Sequence, residues 1–193
     1  MRAGALRNRF GVRFLAPLSI FLLSLLCPAR FFPAAEARDI YVRLADGVSG
    51  ITVTSDSLKL VDAANKTHSP GKSATLKRSG SSALIGKTKI SLPLRISGSG
   101  LLGYNGRKYR GTFFVTREFV LINVLDVEDY LRGVLPAEAS SKWPAEYLKI
   151  QAIISRTYGV RQSLNRSARG YDVCDSTSDQ VYRGAGVETA ATD

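Results

Sequence analysis

One histidine, one tryptophan and two cysteines in 193 residues leave little room for several kinds of chemistry. His68 sits in the polar stretch "NKTHSPGK" with no recognised nucleophile motif anywhere in the chain. A Ser-His-Asp hydrolase is therefore not legible, and His68 is expected to be a solvated loop residue. A zinc site needs three or four ligands, mostly Cys and His. The nearest donor group, Cys174 with Asp175 and Asp179 in "CDSTSD", has no histidine beside it, so no metal and no cofactor is expected. Long apolar runs are also lacking. "FLAPLSIFLLSLLC" (Phe14–Cys27) is 14 residues, short of the about 20 that a bilayer-spanning helix needs.

That run does have the flanks of a targeting segment. Arg2, Arg7, Arg9 and Arg13 precede it, and "AEA" (Ala35–Ala37) fits a cleavage site between small residues. Residues 1–37 read as a cleaved secretory signal or, if uncleaved, a membrane anchor. The expected location is the cell wall or periplasm, with membrane attachment only in the uncleaved form. Removing this segment takes away five arginines and one glutamate, so the net charge falls from +11 to +7. It also removes Cys27 and leaves Cys174 alone, which excludes a disulfide framework. A basic exported chain implies anionic surroundings. The lysines and arginines are scattered and carry no nucleic-acid-binding motif, so no nucleic-acid partner is expected.

Residues 38–124 read as strands. "DIYVRL", "GITVTS", "SLKLVD", "TKISLPLRI", "YRGTFFV" and "FVLINVL" are rich in β-branched and aromatic residues and are separated by Gly, Ser and Asn. "YNGR" (Tyr104–Arg107) carries the Asn-Gly signal of a two-residue hairpin. "GSGLLG" (Gly98–Gly103) matches a dinucleotide fingerprint by spelling, but a hairpin follows it where that motif needs a helix.

Residues 125–193 change period. "DVEDYLRGVL" places Val127, Tyr130, Leu131 and Val134 at helical spacing, and Pro136 is expected to end that helix. A longer helix is expected from Pro144 through "AEYLKIQAIISRTYGVRQSL". Tyr147, Ile150, Ile154 and Tyr158 form one apolar stripe, while Leu148, Ala152, Ser155 and Gly159 form a face suited to close packing. "DQVYRG" (Asp179–Gly184) reads as a short strand. Strands first and helices second make an α+β domain: an antiparallel β-rich part, then a helical part bearing a loop with Glu138. In "VLPAEASSKWP" that glutamate lies between Pro136 and Pro144. Tyr130, Trp143 and the helix stripe could give it an apolar wall and make it a proton donor. Spacing alone favours an ordinary solvated carboxylate, since a raised-pKa carboxyl needs a cleft.

The order of residues in this second half resembles the stage II sporulation protein D family, the SpoIID/LytB domain. Glu128, Asp129, Tyr130, Leu131, Gly133, Val134, Pro136 and Glu138 follow its L-E-D-Y-L-x-G-V-V-P-x-E-M segment. Trp143, Pro144, Glu146, Leu148, Lys149, Gln151, Ala152, Arg156, Thr157 and Tyr158 follow W-P-x-E-A-L-K-A-Q-A-V-A-A-R-T-Y. Asp175, Gln180, Tyr182 and Gly184 follow D-x-x-x-x-Q-x-Y-x-G. Ala139 stands where the family has methionine, and the family domain continues beyond the last residue here.

The resemblance implies a peptidoglycan lytic transglycosylase with Glu138 as its single catalytic acid/base, acting on strands stripped of peptides. Trp143, Lys149, Gln151, Arg156, Tyr158, Gln180 and Tyr182 become supporting or substrate-binding candidates. It also implies cooperation with an N-acetylmuramoyl-L-alanine amidase, or, as a different reading, a non-catalytic wall-binding module that enhances such an amidase.

Overall fold

The structure, a computed structural model, describes residues 38–165 and 169–191; the expected signal segment lies outside them. Eleven strands form one sheet: β1 (Asp39–Ala45), β2 (Gly50–Val61), β3 (Thr67–Ser79), β4 (Ser82–Ile85), β5 (Thr88–Ser91), β6 (Leu94–Gly98), β7 (Leu102–Tyr104), β8 (Arg107–Tyr109), β9 (Thr112–Val115), β10 (Leu121–Asp126) and β11 (Val173–Cys174). Their order is β11-β1-β10-β9-β6-β2-β3-β4-β5, with β7 joined to β2 and β8 to β7. Every pairing is antiparallel except β1 with β11. Two helices, α1 (Val127–Glu138) and α2 (Ala145–Asn165), complete the expected α+β architecture.

The strands differ from the sequence reading where polarity or proline hid them. "GITVTS" and "SLKLVD" are one strand, β2, whose register against β3 shifts between Thr54 and Leu58. "TKISLPLRI" divides at the Leu92–Pro93 bond into β5 and β6, since proline offers no N–H to a ladder. β3 was unreadable because only Ala74 and Leu76 of its 13 residues are buried. His68 therefore lies on a strand rather than in a solvated loop, largely buried, with Nε2 3.0 Å from Asp62 Oδ2. The Asn-Gly hairpin is as expected: Asn105 and Gly106 have φ of 47° and 74° and join β7 to β8. Among the glycines of "GSGLLG", Gly98 and Gly103 abut Ser55 and Thr54 of β2, where a side chain would collide. They allow strands to close on one another.

Alternation along the strands sends Ile40, Val42, Leu94, Ile96, Phe113, Val115, Leu121 and Leu125 to one side, where they join a single core. α1 packs there through Tyr130, Leu131 and Val134, each worth about 1.5–3 kcal/mol of burial. Asp126 caps α1 by accepting the Glu128 N–H at 2.8 Å, and Glu128 and Asp129 suit the positive end of the helix dipole. Pro136 does not end the helix, contrary to expectation. Proline deletes only its own N–H bond, and Ala139 N–H still reaches Leu135 O at 2.9 Å, so the helix runs on to Glu138.

α2 seats its small-residue face, as expected. Gly159 lies where a Cβ would be 3.0 Å from Ile40 Cδ1, and Leu148, Ser155 and Gly159 are its buried residues. Of the expected apolar stripe, only Tyr158 packs on the core, and Tyr147, Ile150 and Ile154 are exposed. "DQVYRG" is no strand either; it runs as an extended strap, and the short strand of this region is β11.

Two predictions follow from these contacts. A Cβ on Gly133 would lie 2.5 Å from Tyr182 Cε2 and 3.0 Å from Gly184 O, whereas one on Gly186 meets nothing within 4 Å. Gly133→Ala is expected to cost about 1–3 kcal/mol in urea unfolding, and Gly186→Ala to be close to neutral.

The second concerns Asp62, which accepts from His68 and from the N–H groups of Ala64 and Lys66. The His68 contact, with help from those backbone donors, holds its carboxyl below the ordinary range against the opposing effect of burial. A lowered folded-state pKa stabilises above the unfolded value of about 4 and is lost as pH falls through the folded value. Acid titration below about pH 4 should shift the Ala64 and Lys66 amide resonances together, and Asp62→Asn should abolish that shift.

Candidate functional site

Glu138 is the last residue of α1, not a loop residue, and it is exposed. A carboxylate there faces the negative end of the helix dipole, an unfavourable position unless a donor compensates. The donor is the backbone N–H of Val181, 2.8 Å from Glu138 Oε1 and 43 residues away in sequence. No ion pair to Glu138 occurs among the described residues. The carboxylate is held at one oxygen, and its other oxygen has no hydrogen-bond partner among them.

What aims Val181 is the strap from Asp179 to Gly184, fixed on both sides of it. Tyr130 hydroxyl donates to Gln180 Oε1 at 3.1 Å, and Arg183 N–H donates to Gly133 O at 3.2 Å. Tyr182 drops its ring against Tyr130 and Tyr109 and donates its hydroxyl to Asn123 Oδ1 at 2.9 Å. Asn123 is fully buried in β10 and donates from Nδ2 to the carbonyls of Arg110 and Thr112. Upstream, Tyr158 hydroxyl donates to Asp179 Oδ1 at 2.6 Å, while Asp179 Oδ2 accepts from the backbone N–H and the thiol of Cys174. Burial pushes the Tyr130 and Tyr182 hydroxyls far above the usual tyrosine range. Both therefore stay protonated and act as permanent donors.

The structure redistributes the candidate residues. Gln180 and Tyr182 are buried and turned inward, so they support the strap instead of reaching solvent as sugar donors. Tyr158 belongs to the Asp179 network. Gln151 donates to Ser155 on its own helix at 3.3 Å. Lys149 pairs with Glu146 in full solvent. Arg156 makes a two-pronged contact with Glu128 at 2.7 and 2.6 Å and ties α2 to the first turn of α1. That hydrogen-bonded pairing holds the Glu128 carboxyl below its ordinary range. Neither cation forms an ion pair with Glu138. Trp143 is 50% exposed, Tyr147, Ile150 and Ile154 of the helix stripe are exposed as well, and Tyr130 is buried.

Sequence reading missed Asn123 and the Val181 N–H. A lone asparagine within "LINVL" was a usable signal, because a polar side chain in an otherwise apolar strand must find partners. The Val181 N–H left none, since a backbone donor has no residue type. Tyr182→Phe strands the Asn123 acceptor in the core and should lower stability by about 1–3 kcal/mol. A thermal melt reads this as a midpoint drop of about 2–4 °C per kcal/mol. Tyr147→Phe, on the exposed face of α2, should leave the midpoint unchanged.

Comparison with known proteins gives the following similarities. An uncharacterised protein of Brachyspira hyodysenteriae is 40% identical over 84 residues, which is 42% of this chain and 23% of that protein. The chain thus spans about a quarter of the relative's length. No solved structure matches. Residues 116–193, which include α1, Glu138, α2 and the strap, match the family described as Stage II sporulation protein, SpoIID. The similarity to that family covers these 78 of the 193 residues.

Proposed function

We propose that the protein is an exported lytic transglycosylase that cleaves peptidoglycan glycan strands, with Glu138 as the only acid/base. The observation that carries this reading is the state of that carboxylate: anchored at one oxygen by Val181 N–H, in no ion pair among the described residues, and open to solvent. A glycosidase that hydrolyses by either usual route needs a second carboxylate as nucleophile or base. An intramolecular nucleophile, the substrate's own hydroxyl, removes the need for that second carboxylate.

In the proposed reaction, the Glu138 carboxyl gives its proton to the glycosidic oxygen as the bond to the muramic C1 breaks. The C6 hydroxyl of the same sugar attacks C1 and returns its proton to Glu138, leaving a 1,6-anhydro end and a regenerated acid. The Val181 N–H fixes the rotamer so that one oxygen can serve both transfers. A strand without peptides fits this open surface, and a net charge of +7 for residues 38–193 favours retention on an anionic wall. An N-acetylmuramoyl-L-alanine amidase would supply such strands.

A second reading draws on the exposure of Glu138 and Trp143: a non-catalytic wall-binding module that enhances a partner amidase. The two separate on Glu138→Gln. Peptide-free strands incubated with the protein should yield anhydro-muramic ends by mass spectrometry, and Glu138→Gln should reduce that yield by about a hundred- to ten-thousand-fold. Unchanged amidase enhancement by the variant, with no anhydro ends from either protein, would establish the module instead.

A further inference from the structure

The face of the sheet turned away from α1 and α2 carries a groove that the Glu138 chemistry does not use. Alternation along β1 sends Ile40 and Val42 into the core and Tyr41 to the opposite side. The register continues this row across the sheet: Tyr41 pairs with Val124 of β10, which pairs with Thr112 of β9. One step along, Phe114 of β9 pairs with Arg95 of β6. These residues and Asp39 line an open groove of about 540 Å³. Asp39 and Tyr41 also line a neighbouring hollow of about 300 Å³ with Tyr171, Asp172 and Ser163 of α2, so the depression continues round β1 to the edge where α2 lies. From β1 to β6 is three strand spacings, about 14 Å, a length suited to an extended oligomer.

Its chemistry is mixed in a particular way. Phe114 and Val124 give it an apolar floor, and Tyr41, 39% exposed, gives it an aromatic face. Above that floor stand the Asp39 carboxylate, the Arg95 guanidinium and the Tyr41 and Thr112 hydroxyls. None of these side chains has a hydrogen-bond or ion-pair partner among the described residues. Asp39 and Arg95 are exposed charges of opposite sign in one groove that are not spent on each other.

A polyanion with a phosphate on every unit would meet Asp39 as a repulsion. A sugar polymer with occasional carboxylates meets every group: its ring faces on Tyr41 and Phe114, its hydroxyls and amides on Asp39 and Thr112, its carboxylate on Arg95. We infer that this outer-face groove is a second, non-catalytic binding site for a β-1,4-linked amino-sugar strand, with Arg95 receiving the free carboxylate of a muramic residue. The inference rests on the proposed function for the identity of the polymer. It is a separate site: Glu138 closes the far end of α1, about 16 Å along the helix from its start at Val127, and α1 packs on the opposite face of the sheet.

The test is binding, read apart from cleavage. The full chain carrying Glu138→Gln serves as parent and is titrated with peptide-stripped muramic strands and with an uncharged N-acetylglucosamine oligomer. Tyr41→Ala should weaken both by about tenfold, the loss of one stacked aromatic ring. Arg95→Ala, a fully surface change that leaves folding intact, should weaken only the carboxylate-bearing strand, by several-fold. Parent-like binding of both probes by both variants would overturn the inference. So would tighter binding to double-stranded DNA or anionic vesicles than to either glycan. Cleavage is read separately on the chain with Glu138 intact: no anhydro products from it, with these binding differences present, would sink the transglycosylase and leave the groove standing. Normal cleavage by it with no binding differences would do the reverse.

Discussion

A single buried amide organises the functional half of this protein. Asn123 satisfies all its capacity within the fold: Nδ2 to two carbonyls of the chain entering β9, Oδ1 to the hydroxyl of Tyr182. An unpaired amide in that position costs about 1–3 kcal/mol, so Tyr182 is drawn to one depth and one orientation. Its ring then needs the missing side chain of Gly133. Once Tyr182 is placed, the neighbouring Val181 N–H has little choice of direction, and it meets Glu138 at the end of α1. The chain of dependence runs from a core hydrogen bond, through an aromatic ring and a glycine, to a surface carboxylate.

The outside of the molecule follows different rules. Arg156 and Glu128 clasp the two helices by a two-pronged contact, yet both side chains remain partly solvated and the pair contributes on the order of 1 kcal/mol or less. The close approach of α2 owes more to the absence of a side chain at Gly159, which lets the helix backbone reach Ile40 and Tyr130. The outward side of α2 bears Tyr147, Ile150, Ile153, Ile154 and Leu164 in the open. The apolar stripe of α2 therefore does not mark its buried side, which is the small-residue face with Leu148, Ser155 and Gly159.

Electrostatics and burial divide the tyrosines and carboxylates by role. Tyr130 and Tyr182 are held protonated by burial and serve as donors within the scaffold. Asp179 gathers a phenol, a thiol and a backbone N–H and closes the loop after β11. Glu138 alone among these acids stands open, with one anchored oxygen. Tyr130, Tyr158, Asp179, Gln180 and Tyr182 thus build the support, and Glu138 faces outward from it.

Composition and pattern were enough for the α+β class, the Asn-Gly hairpin, both helices and the packing face of α2, because these depend on local propensity and on side-chain periodicity. The order of motif residues was enough to make Glu138 a candidate through the family resemblance. Beyond local rules the sequence was silent. β3 was hidden because a strand with one solvated face and few buried residues looks like loop, and Pro136 misled because the bond it removes lies so near the helix end. That Tyr182 and Gln180 point inward, that Arg156 serves Glu128, and that Val181 holds Glu138 were decided only by tertiary packing. Which donor reaches which acceptor depends on distances between residues far apart in the chain, and backbone donors carry no letter in the sequence.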